Sequence, residues 1–173
     1  ALYRACGAGV PIELIGRGAG SLRPGVPGVS ETIRVRSILG RFLEHSRIFE
    51  WTNGGEREVY LSSADWMPRT LTRRNEVCFP ILDADLADRI SGEMLDTEIA
   101  DNVASWVMRP DGSYLQLTPG KDPPFEAQKV FMRQARQQTL QRRASLRPEL
   151  QQKLNGLSPA ARVAAARARR KAP

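Results

Sequence analysis

Asn53, Gly54 and Gly55 stand between two stretches of alternating side chains, and this junction constrains the fold more than any other short segment of the chain. Ahead of it, Phe42, Glu44, Ser46, Ile48 and Glu50 alternate with Leu43, His45, Arg47, Phe49 and Trp51 up to Thr52. A period of two is that of an extended strand, and Asn-Gly followed by Gly supplies the left-handed backbone that a tight hairpin turn needs. Arg57 to Ser62 is then the returning partner strand. On a strand, every second residue faces one side, so the pattern predicts that His45 and Arg47 project from the same strand face.

Val10 to Ile15 is a short β-type run ending in the glycine-rich stretch Gly16 to Gly20, with Arg17 between Gly16 and Gly18. Leu22 to Val29 contains two prolines and two glycines and predicts a tight loop, after which Ser30 and Glu31 cap a turn and Ile33 to Leu39 alternates as a strand. Glu76 to Leu82 is a further apolar strand. From Asp83 to about Val107 the spacing is helical, with Leu86, Ile90, Met94, Ile99 and Val103 on one face and acids at the N-terminal end that suit the helix dipole. Asp111 and Gly112 turn the chain into a last strand, Ser113 to Leu117, and a polar helix rich in Gln and Arg covers residues 125–143. Strands interleaved with helices predict an α/β domain with a mixed β-sheet flanked by helices, followed by a basic C-terminal helical tail. The expected organisation is a domain over 1–124, a helical extension over 125–157 and a flexible Ala/Arg-rich segment over 158–173.

At 173 residues and 41% hydrophobic, the chain is long enough for one domain with a core. No apolar run approaches the roughly 20 residues of a membrane-spanning helix. The start, Ala1 to Gly7, has no initiator Met and no signal-peptide pattern, and reads as the end of a helix stopped by Gly7 or Gly9, so a fragment of a longer protein is expected. Cys6 and Cys78 are too few and too far apart for a metal motif or a disulfide framework and are expected as reduced, buried thiols in a cytoplasmic protein. The net charge of +7 is unevenly placed: residues 1–126 hold 14 Lys and Arg against 18 Asp and Glu, whereas residues 127–173 hold 12 against one. Residues 14–75 carry ten arginines and no lysine. Such a segment points to planar, two-pronged recognition of anions rather than to diffuse solubility.

His45 is the sole histidine, flanked by Arg41 and Arg47. It is the one side chain whose unperturbed pKa lies near neutrality, set among cations that suit phosphate. The plainer alternative is a core histidine satisfied by a backbone carbonyl. Arg17 after a strand suits phosphate binding or is simply part of a turn; Arg73 and Arg74 are a clamp for an oligophosphate or a solvated pair. Trp51 and Trp66 read as core or rim aromatics. His45-x-Arg47, with Ser62 to Asp65 at the end of the partner strand, is similar to the His-x-Lys and Gly-Ser-x-Asn elements of the phospholipase D superfamily, although Thr52 stands where that superfamily has Asp.

A longer resemblance is more specific. IGRGAGSLRPGVPGVSETIRVRSILGRFLEHSR over 15–47, YLSSADWMPR over 60–69, and Arg73-Arg74 together resemble the C-terminal catalytic domain of bacterial polyphosphate kinase of the histidine-phosphorylating type, over about residues 1–117. The resemblance implies a phospholipase D-like domain of an enzyme that transfers the ATP γ-phosphate reversibly onto polyphosphate through a phosphohistidine, in a tunnel between two such domains. It implies that the phosphorylated histidine and the Mg²⁺ ligands lie in the preceding domain, so that Mg²⁺ arrives with ATP and this chain holds no metal. By motif position, His45 matches the second essential histidine, Arg17 an ATP-contacting arginine, and Arg74, with Arg73, a phosphate-facing one. Arg47 joins the phosphate-binding set, and Ser63 and Asp65 support it. ATP or ADP, polyphosphate and the remaining domains are the implied partners, in a homo-oligomer when full length, with the isolated chain inactive. A rival reading is a non-catalytic polyanion-binding or interaction module whose tail engages polyphosphate, nucleic acid or membrane anions at the membrane periphery. Another is a phosphodiesterase or nuclease formed by pairing two copies.

Overall fold

The computed structural model describes residues 1–155, which fall into two compact units, 1–130 and 131 onward. In the first unit, α1 (Leu2–Gly7) is closed by Gly9, whose φ of 83° is a left-handed conformation open to glycine. β1 (Ile12–Gly16) then runs parallel to β2 (Ile33–Ile38), Ile12 opposite Ile33 and Gly16 opposite Ser37. Alternation in β2 does what its pattern predicts: Ile33, Val35 and Ser37 are buried while Arg34 is exposed. The connection between the two strands is the Gly/Pro loop. It is pinned where Gly20 N–H donates to the Tyr114 hydroxyl at 2.9 Å and Arg23 N–H to the Tyr3 hydroxyl at 3.2 Å.

β3 (Ile48–Asn53) and β4 (Glu56–Ser62) form the expected antiparallel hairpin, Ile48 opposite Leu61 and Asn53 opposite Glu56. The two-residue turn places Gly54 at φ 60° and Gly55 at φ 95°, which explains why both are glycine. α2 (Pro68–Arg73) opens with Pro68, whose missing N–H costs nothing at a helix start. β5 (Cys78–Pro80) adds to β4 at the edge of this sheet, where Pro80 is tolerated.

Asp83 caps α3 (Ala84–Arg89) by accepting from Leu86 N–H. The helix continues through a π-helical segment, Ile90–Leu95, into α4 (Asp96–Ile99). β6 (Ser105–Met108) pairs antiparallel with β2, and β7 (Tyr114–Gln116) with β6. The order β1-β2-β6-β7 is therefore a mixed four-stranded sheet, and β3-β4-β5 is a separate antiparallel one. Cys6, Ile33, Val35 and Met108 form the core, with Leu2, Ile12, Leu14, Leu22 and Tyr114 packed against it. Finally, α5 spans Ala127–Asn155 and so runs through both units. In the second unit Arg133, Arg136, Arg142 and Arg143 are exposed.

The α/β class with a mixed sheet is as the pattern predicts, but five local expectations are corrected. The single sheet is two. The strand expected from Phe42 begins only at Ile48, so His45 and Arg47 do not share a strand face; they lie on the loop that precedes β3. The helix expected up to Val107 ends at Ile99 because Asp101, 1% exposed, accepts the successive N–H groups of Val103, Ala104 and Ser105 on one carboxylate oxygen. That contact turns the chain into β6, and of the proposed apolar face Leu86 and Ile99 are exposed. Cys6 is buried as expected, but Cys78, on a short edge strand, is exposed. Glu76 to Leu82 yields only the three residues of β5. The basic segment 158–173 lies outside the described residues.

Candidate functional site

Three segments of different origin converge on one carboxylate. Arg17 is the first residue after β1, Arg47 immediately precedes β3, and Asp65 follows the end of β4. The hairpin pairing continues one step beyond β3, with Ser62 N–H donating to the Arg47 carbonyl at 3.0 Å, and this fixes Arg47 near the chain that leads to Asp65. Arg47 donates to Asp65 Oδ1 from Nε at 3.1 Å and from Nη2 at 2.9 Å. Arg17 Nη2 reaches both carboxylate oxygens, at 3.1 and 3.2 Å. Arg17 therefore joins the four-stranded sheet to Asp65 beside the three-stranded one, while Arg47 holds the same carboxylate from within the hairpin. Hydrogen bonding from Arg47 holds its carboxyl below the usual carboxylate range, with the charges of Arg47, Arg17 and Arg69 adding to the effect.

Arg17 also fixes the histidine. Its Nη1 donates to the Glu44 carbonyl at 2.7 Å and contacts His45 Nδ1 at 2.9 Å. A guanidinium can only donate, so Nδ1 is the acceptor and the ring proton of neutral His45 sits on Nε2. The imidazole is exposed, and among the described residues Nε2 has no protein partner. Arg47 Nη1 donates to the His45 carbonyl at 2.6 Å, so the two arginines grip His45 by its ring and by its backbone.

The loop itself is held by side chains. Glu44 Oε1 accepts from His45 N–H at 2.9 Å, Ser46 N–H at 2.8 Å and the Ser46 hydroxyl at 2.7 Å. Burial works to raise the Glu44 pKa, but these Ser46 and His45 hydrogen bonds outweigh it and the carboxyl is lowered. Nearer the start of the loop, Gln128 in the first turn of α5 accepts from Phe42 N–H at 3.0 Å and donates to the Phe42 carbonyl at 2.7 Å. Glu98, 8% exposed, is pushed up to about 7 by burial, then by the neighbouring charges of Glu44 and Asp101.

Of the residues singled out from the sequence, the structure brings Arg17, His45, Arg47 and Asp65 together. Ser63 is turned elsewhere: its hydroxyl donates to Glu76 and accepts from Val77 N–H. Arg73 ends α2, Arg74 follows it, both are exposed, and neither has an ion pair among the described residues. Trp51 and Trp66 are rim aromatics, each half exposed and stacked on Phe49 with centroids 6.3 and 5.3 Å apart. Arg69 and Gln128 received no role from the sequence. Arg69 stands four residues after Asp65, a spacing that could have flagged it; nothing local marks Gln128, whose partner is 86 residues away. Among the described residues no group of three or more His, Cys, Asp or Glu side chains is arranged to hold a metal ion, and no helix is long and apolar enough to cross a membrane.

The cluster is thus two guanidinium groups, of Arg17 and Arg47, on the carboxylate of Asp65, with the charge of Arg69 nearby and a hydrogen-bond donor at His45 Nε2. At its centre the side chains of Arg17, Arg47 and Asp65 are 32%, 24% and 27% exposed, and His45 and Arg69 are more so. A cationic, ordered and accessible site of this kind suits oxyanions.

The polyphosphate kinase of Xylella fastidiosa (strain Temecula1) is 53% identical over 133 residues, covering 76% of this chain and 19% of that protein. That of Pseudomonas aeruginosa (strain PAO1) is 52% identical over 133 residues with the same coverage. The crystal structure of polyphosphate kinase from Porphyromonas gingivalis superposes with a TM-score of 0.72 at 38% identity, covering 79% of this chain and 21% of that one. The chain spans about a fifth of the length of these relatives. Residues 1–128 match the family described as polyphosphate kinase C-terminal domain 2, and the chain belongs to that family.

Proposed function

We propose that this chain supplies one half of the phosphoryl-transfer site of a polyphosphate kinase, which moves the ATP γ-phosphoryl group reversibly onto inorganic polyphosphate through a phosphohistidine. The observation that carries the reading is the grip of Arg17 and Arg47 on Asp65 and His45, which fixes two cations and one imidazole N–H in an accessible cluster. A phosphoryl group in transfer spreads negative charge over its oxygens, and fixed guanidinium groups stabilise that charge without having to reorganise. Arg17 and Arg47 each retain N–H donors beyond those spent on Asp65, His45 and the Glu44 carbonyl, and these face nucleotide or polyphosphate oxygens. His45 holds a phosphate oxygen from Nε2–H. Acting instead as a proton donor in its imidazolium form, it would carry a second proton on Nδ1, against Arg17, and would first have to leave that contact.

Arg73 and Arg74 take the more distant phosphates in this reading, Asp65 orients the arginines, and Ser63 orders the strand end beside it. Mg²⁺ travels with ATP, and both its protein ligands and the phosphorylated histidine belong to the rest of the enzyme, together with the partner surfaces of a homo-oligomer. The exposed arginines at 133, 136, 142 and 143, with no acid between residues 131 and 146, form an auxiliary surface for polyanions.

ATP-dependent polymer synthesis tests the proposal. The full-length enzyme is expected to make polyphosphate and the isolated 173-residue chain to make none. Robust synthesis by the isolated chain, or none by the full-length enzyme, contradicts the reading.

A further inference from the structure

His45 and Arg47 ride on a loop of nine residues, 39–47, that has no regular secondary structure. Its own apolar side chains do not anchor it, since Phe42 is 53% and Leu43 60% exposed. Its backbone groups are tied down mainly by side chains, those of Glu44 and Arg47 within the loop and of Arg17 and Gln128 from elsewhere in the unit. Near its start, where Leu39 N–H donates to the Ala104 carbonyl at 3.0 Å, the only side-chain tie among the described residues is Gln128, whose amide both accepts from and donates to the same residue, Phe42. A two-point clasp sets the rotation of the segment as well as its distance, and here it acts three residues before His45.

The clasp is built into the fold from both sides. Gln128 is 6% exposed, so its amide makes these bonds away from competing water. The preceding residue, Ala127, donates its N–H to Asp101 Oδ2 at 2.8 Å, which fixes the backbone from which Gln128 reaches. Opposite, Gly40 leaves the space: a Cβ there would lie 2.3 Å from Gln128 Oε1. We infer that Gln128, with Gly40 making room for it, is a positioning residue that sets the reach of His45 into the phosphoryl-transfer site. This assignment rests on the function proposed above.

Two substitutions break the clasp by different routes, and both are made in the full-length enzyme. Gln128→Met keeps the volume and removes both hydrogen bonds; Gly40→Ala leaves Gln128 intact and pushes it away. Each is expected to lower kcat for polyphosphate synthesis roughly 10- to 100-fold, the size of effect a misplaced catalytic group produces, with KM for ATP changing by less than about threefold. Amide hydrogen exchange at Phe42 is expected to speed up roughly tenfold in both variants, as befits a lost hydrogen bond. Undiminished kcat in either variant whose Phe42 exchange has accelerated overturns the assignment, as does unchanged exchange at Phe42. A lowered melting temperature with unaltered kcat also overturns it and makes the clasp a staple for α5 alone. If the unsubstituted enzyme makes no polymer, the proposed function fails, while exchange at Phe42 still reports whether Gln128 holds the loop.

Discussion

The four-stranded sheet buries most of its central strand, whereas the three-stranded sheet leaves much of itself in solvent. In β2, Ile33, Val35, Ser37 and Ile38 are all buried; in β5, Cys78, Phe79 and Pro80 are all exposed, and Trp51 on β3 is 44% exposed. Burial of apolar surface fixes the first sheet. The second supplies the hairpin frame from which Arg47 and Asp65 emerge, and Arg17 ties the first sheet to it through the Asp65 carboxylate and the Glu44 carbonyl. The lesson is that the candidate site lies where packing gives way to polar bonds, so stability and site geometry can be perturbed separately.

That separation can be broken or sharpened by substitution. Ile33→Ala, at a position 1% exposed, is expected to cost about 2–5 kcal/mol. Phe79→Ala, at a position 47% exposed, should cost less than about 1 kcal/mol. Urea unfolding measures both, and equal costs would erase the contrast between the sheets. Asp65→Asn removes the charge shared by Arg17 and Arg47, and is expected to lower kcat/KM of the full-length enzyme on the order of 100-fold; steady-state kinetics with ATP checks it.

Glu98 supplies a smaller, pH-dependent effect within the same unit. Its pKa is raised from 4.5 to about 7, so between those values the native state keeps a proton that the unfolded chain has lost. Stability therefore falls as pH rises from 4.5 to about 7 and carries a constant penalty above that. Glu98→Gln is expected to be more stable than the unsubstituted protein at about pH 8, by about 1–3 kcal/mol, and to lose that advantage as pH falls toward the ordinary carboxylate range. Urea midpoints across this range measure the difference.

Much of the frame was legible in the sequence because it obeys local rules. Alternation located β2, the Asn53-Gly54-Gly55 turn located the hairpin, and the Gly-Arg-Gly stretch after β1 pointed to Arg17. What escaped was governed by side chains bonding to the backbone. Phe42 to Arg47 alternates like a strand, yet Glu44 takes the His45 and Ser46 amides and Gln128 takes Phe42, so the segment has no need of a ladder. The same competition ends the helix before β6, where Asp101 collects three amides. Arg17, His45 and Arg47 stand out from the residues themselves and Asp65 through a family resemblance, and the structure brings the four together by a route other than the shared strand face. Ser63 was drawn to Glu76 by a contact 13 residues away that no short motif encodes.

The most direct measurement of the central claim is ATP-dependent polyphosphate synthesis by the full-length enzyme carrying His45→Ala. If His45 assists phosphoryl transfer from the grip of Arg17 and Arg47, synthesis should fall to near the detection limit while the protein stays folded, as judged by an unchanged melting temperature. Synthesis at the unsubstituted rate would contradict the account.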